Sequence, residues 1–127
     1  MSKADDIWED IEEGLEGMLT CIRQIETYLE ELKNMGDYGD YSDYKKYKKF
    51  KHPGIYDDVL RFLGYMCCEA DENIPEEFKQ QHPELPWVAM DTLLEYSSYD
   101  VDVIWHIVTE ELPQNKAVIQ HLLNTYR

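Results

Sequence analysis

Positive charge is scarce in this chain: 12 Lys and Arg stand against 27 Asp and Glu, a formal net charge of −15 over 127 residues. Phosphate binding draws on clustered Lys and Arg, so such a balance argues against simple nucleic-acid binding by the whole molecule. Cysteine is also sparse. Cys21, Cys67 and Cys68 form no C-x-x-C pair, which leaves no disulfide framework or cysteine zinc site to read; small buried thiols in a reducing compartment are expected. No apolar run approaches the ~18 residues of a membrane span. The opening M-S-K-A-D-D-I-W-E-D is acidic and has no apolar core, unlike a secretory leader, so a cytoplasmic protein without membrane contact is expected. Glycine-rich phosphate loops, a nucleophile elbow and strand-period alternation are absent from the text of the chain. There is no Glu-x-x-His pair to seat a di-metal centre in a bundle, and no cofactor or metal is expected. Asp102 and His106, one helical turn apart, have ligand spacing, but a surface pair beside Trp105 accounts for them more simply.

What the chain has in quantity is helical periodicity. Hydrophobic residues at 43% and charged residues at 31% suit one globular domain covering 1–127, which at this length buries about two-thirds of its unfolded surface. Between 4 and 32, apolar residues fall at 4, 8, 11, 15, 18, 22, 25, 29 and 32, in steps of four and three without a slip. This predicts one long amphipathic helix, with Ile7 and Leu19 widening its apolar stripe and Glu9, Asp10, Glu13, Glu16 and Glu30 covering the rest.

The segment 36–52, G-D-Y-G-D-Y-S-D-Y-K-K-Y-K-K-F-K-H, is the oddest in composition. A loop to about Ser42 followed by a short helix is expected, because Ser42 or Asp43 can cap it. Lys45, Lys46, Lys48 and Lys49 interleaved with tyrosine form the one basic patch, a candidate contact for RNA or a partner. The competing reading is a solvated loop whose tyrosines fold back over the bundle.

A second helix is expected from Ile55 to about Asn73, apolar on most sides and therefore central. Pro75 suits the first turn of a short helix, and Pro83 and Pro86 bracket a break before a third helix from Trp87 to about Ser97. Val101, Ile104, Trp105, Val108 and Leu112 give a fourth core stripe, and Pro113 is placed at the start of a last helix facing inward through Val118, Ile119, Leu122, Leu123 and Tyr126. The sum is an all-α bundle of four main helices plus short ones, with antiparallel neighbours.

Two runs in this layout carry a resemblance. I-P-E-E-F-K-Q-Q-H-P-E-L-P-W at 74–87 and D-V-D-V-I-W-H-I-V-T-E-E-L-P at 100–113 resemble the flanks of the catalytic motif in the HepT branch of the HEPN proteins. V-L-R-F-L-G-Y-M-C-C-E-A at 59–70 resembles a further family pattern, matching at Arg61, Glu69 and Ala70, with Cys68 where a glycine is usual and one extra residue. The resemblance implies an up-and-down HEPN-like four-helix bundle, dimerisation, and a toxin–antitoxin pairing with a minimal nucleotidyltransferase that attaches AMP to the motif's tyrosine. Relatives of this kind cleave RNA without a metal through Arg-x4-6-His-x-Tyr. Counted back from the second flank, Tyr96 falls on that tyrosine, the modification site so implied, but Leu94 falls on the histidine and Ala89 on the arginine.

A leucine cannot carry a proton, and an alanine cannot hold a phosphate. The expectation is therefore a catalytically degenerate HepT-like protein, acting through contact with its own copy or with a nucleotidyltransferase. Two alternatives stand beside it. One is an active endoribonuclease with a non-standard site using Asp91, Glu95 and Tyr96; the other is an acidic nucleic-acid mimic presenting the Glu-rich face of the first helix. Arg61 and Glu69, two turns apart on one helix face, are candidate groove residues, each expected to be paired or at a rim.

Overall fold

A computed structural model describes residues 3–34, 50, 53–87 and 101–127, and the protein is an all-α helical bundle. Helix α1, Lys3–Asn34, is its spine. The period read from the sequence is realised in burial: Leu15, Met18, Ile22 and Ile25 are sealed from solvent, and Ile11 and Leu32 nearly so. Leu19 is buried as expected, but Ile7 is 49% exposed, on the wall of an open pocket that Asp71, Asn73 and Pro75 also line.

Helix α2, Pro53–Asn73, lies antiparallel to α1, with its late residues beside the early turns of α1. Gly14 faces Asn73 and Ile74, Gly17 faces Glu69, and the rings of Tyr28 and Phe62 lie 5.9 Å apart. Its central position is plain in the burial of Ile55, Tyr56, Val59, Leu63, Met66, Cys67 and Ala70, while Tyr65 stands out at 51% exposure. Phe50, at the end of the tyrosine–lysine run, is wholly buried, with Tyr56 and Trp105 each 5.1 Å away in edge-to-face contact.

Pro75 is the N-cap of α3, Glu76–Gln81, where its extended backbone and missing N–H cost nothing. The His82 amide closes α3 on the carbonyls of Phe78 and Lys79 at 3.1 and 3.2 Å. The following turn is pinned by Trp87, whose indole N–H donates to the His82 carbonyl at 2.8 Å.

From 101 to 126 the chain is helical without interruption: α4 Val101–His106, a π-helical turn Ile107–Glu111, and α5 Leu112–Tyr126. Pro113 lies in the first turn of α5, as expected, but α5 continues α4 and the π turn without a break. In a regular α-helix the proline ring would strike the Thr109 carbonyl and leave it without a donor. The chain widens by a residue instead: the Leu112 N–H donates to the Ile107 carbonyl, five residues back, and the helix runs on through the proline. The run is antiparallel to α1, tied by Lys116 to Glu26 at 2.9 Å and by Arg127 to Glu12 at 3.0 Å and to Glu16. Ile104, Val108, Leu112, Ile119, Leu122 and Leu123 are its buried face, whereas Tyr126, expected to face inward, is 45% exposed. Among the described residues no helix is long and apolar enough to cross a membrane.

Candidate functional site

Asp91, Glu95 and Tyr96 lie outside the described residues, as do Ala89, Leu94 and the lysines Lys45, Lys46, Lys48 and Lys49. Arg61 and Glu69 are described, and they serve different ends of α2. Arg61 is exposed and hydrogen-bonds Asp58 one turn back at 2.8 Å, with its guanidinium 5.7 Å from the centre of the Phe62 ring. Glu69 is half-buried against α1, where its carboxylate sits so near Gly17 that a β-carbon there would lie 2.7 Å from Glu69 Cδ. Asn73 donates to Glu69 Oε2 at 2.8 Å. Burial, reinforced by the Glu69 charge, pushes the neighbouring Cys21 thiol up from 9.0 to about 11, so that thiol stays protonated and unreactive near neutral pH. The two residues do not converge on a common ligand position. Asp102 and His106 are both exposed on α4, and the described residues hold no group of three or more His, Cys, Asp or Glu placed to bind a metal.

The structure does assemble a polar string that sequence reasoning missed. Glu84 Oε2 lies 3.3 Å from His82 Nδ1, and His82 Nε2 lies 2.9 Å from the Tyr126 hydroxyl. Phe78 stacks on the His82 imidazole with centroids 4.4 Å apart, and Trp8 packs on Tyr126 at 5.2 Å. The string rims a pocket of about 490 Å³ floored by Ala117, Val118 and Leu122, with His121 and Thr125 on its other side. Nothing local in the sequence signals this meeting, since 44 residues separate His82 from Tyr126.

A protein of Thermococcus cleftensis assigned as a ribonuclease HepT is 42% identical over 59 residues, covering 42% of this chain and 54% of that relative. The chain is HepT-like in sequence. Two proteins assigned as RNases, from Caldanaerobacter subterraneus subsp. tengcongensis and Methanocaldococcus jannaschii, are each 30% identical over 60 residues; 43% of this chain aligns, against 54% and 50% of theirs. The chain thus spans about half the length of the curated relatives it matches. No protein-family model and no solved structure matches it. HepT-like sequence and an all-helical bundle agree with the fold that the flanking runs imply.

Proposed function

We propose that this HepT-like chain has lost the ribonuclease reaction and acts by protein–protein contact, as a homodimer or with a nucleotidyltransferase partner in a toxin–antitoxin type system. One observation carries the reading: both flanks of the motif persist at 74–87 and 100–113, while Ala89 and Leu94 occupy the positions of the phosphate-holding arginine and the proton-carrying histidine. Metal-free cleavage needs a fixed cation beside a group that exchanges protons near neutral pH, and aliphatic side chains provide neither. The names of the relatives support ribonuclease descent, and the side chains at the two positions support loss of the reaction.

Purified protein incubated with a mixed RNA substrate is expected to leave it intact; cleavage that disappears in Glu95→Gln or Tyr96→Phe would establish the non-standard site and overturn the reading. Sedimentation at high concentration should reveal a dimer, or a nucleotidyltransferase should be retained on the immobilised chain. A strictly monomeric species that retains no such enzyme refutes the contact role. Tyr96 is the proposed acceptor of AMP in that pairing, visible as an adenylylated peptide after incubation with the partner and ATP.

A further inference from the structure

The Tyr126, His82 and Glu84 string has the order of a nucleophile, a base and a group that orients the base. An ionised carboxylate only accepts hydrogen bonds, so Glu84 fixes the His82 proton on Nδ1. Neutral Nε2 is then an acceptor, and the bond of 2.9 Å is donated by the Tyr126 hydroxyl. His82 is held in that pose by the Phe78 ring on its face and by its backbone carbonyl, which receives the Trp87 indole. Tyr126 is half-exposed, so its oxygen is reachable from the apolar pocket beside it.

From this geometry we propose that Tyr126 is an acceptor site for acyl groups delivered by activated esters. The chemistry of the pocket selects that class of electrophile. Phosphoryl and nucleotidyl groups bring several negative charges of their own that need Lys, Arg or a metal, and among the described residues the pocket lining contains neither Lys nor Arg while Glu84 adds a negative charge. A neutral carbonyl with a short apolar tail fits a floor of Ala117, Val118 and Leu122. In the step, the Tyr126 oxygen bonds to the acyl carbon and the carbon–oxygen bond to the leaving group breaks. The phenolic proton passes to His82 Nε2 and from there to the departing oxygen. His82 is the base and Glu84 the positioning residue. The site is independent of the loss of ribonuclease chemistry proposed above.

Tyr65 supplies an internal control: it is 51% exposed against 45% for Tyr126, and among the described residues it has no hydrogen-bonded histidine. The full-length protein is treated with p-nitrophenyl acetate, and O-acetylation of both tyrosines is followed by peptide mass spectrometry. Tyr126 is expected to react at least about tenfold faster than Tyr65, a threshold set below the roughly 10²–10⁴-fold that a positioned base typically contributes. His82→Gln should bring the two rates together, Glu84→Gln should narrow the gap, and Glu84→Asp should restore most of it, with helical circular dichroism confirming each fold. Equal rates in the wild-type protein overturn the proposal whatever the variants do. So does a folded His82→Gln protein that keeps the preference for Tyr126.

Discussion

At Gly14 and Gly17, the early turns of α1 approach the end of α2 too closely for a β-carbon. The two glycines differ in what an added methyl would meet. At Gly14 it would lie 2.8 Å from Asn73 Cβ, an atom fixed to the backbone, so the helices must separate. Gly14→Ala is therefore expected to destabilise by about 1–3 kcal/mol in urea unfolding, outweighing the gain in helix propensity of about 1 kcal/mol. At Gly17 the obstacle is the Glu69 carboxylate, the far end of a flexible side chain, and Gly17→Ala should cost less than Gly14→Ala. The same carboxylate bears on Cys21, whose thiol is raised to about 11 by burial first and Glu69 second. The unfolded chain ionises this thiol near 9.0 while the folded chain still holds the proton, so its stabilising effect is full below that pH and is lost as pH rises through about 11. Measured against Cys21→Ala, the wild-type unfolding midpoint should decline across that window and hold steady below it. Labelling by a thiol reagent at neutral pH should find exposed Cys68 first and leave buried Cys21 and Cys67 until the protein unfolds.

Among the elements, α1 contributes more buried hydrophobic side chains than any other, but not evenly along its length. Ile22 is wholly enclosed and Ile7 is half in water, although both fit the apolar stripe of the sequence. Ile22→Ala should cost about 2–5 kcal/mol and Ile7→Ala no more than about 0.5 kcal/mol, read from denaturant midpoints. The stripe was legible because a period of 3.6 survives any neighbour arrangement. Its true edge was not, because exposure at Ile7 depends on how closely the distant segment around Asn73 and Pro75 packs over it. The ion pairs of Lys116 and Arg127 with α1 are partly or largely exposed, so Lys116→Ala is expected to lose less than about 1 kcal/mol. Pro113 was read as a boundary on sound local grounds, since a proline withdraws one donor and crowds one carbonyl. The π turn at Ile107–Glu111 removes both penalties by adding a residue to the turn, an option that local propensity does not reveal.

For the whole molecule, the dominant quantity is a formal net charge of −15, which acts on the compact state through self-repulsion. Raising ionic strength from about 0.01 to about 0.15 M shortens the screening length from about 30 to about 8 Å. The thermal midpoint should rise over that range, and a fall would show that specific ion pairs outweigh the net charge. The same charge bears on partners: a basic protein docking on the Glu-rich face of α1 would bind less tightly as salt increases.

The sequence by itself determined the all-helical bundle, the long first helix, the central second helix and the HepT-like flanks, because period and residue order are written locally and need no third dimension. Residue order also carries the resemblance by which Ala89 and Leu94 are counted onto the motif's positions. Only the tertiary structure decided that Arg61 turns to Asp58 while Glu69 lies against Gly17, since equal spacing on one helix does not say which neighbour each side chain meets. Only it brought His82, fixed by the end of α3, onto Tyr126 at the end of α5, a meeting set by the antiparallel packing of distant segments against Trp8 and Phe78.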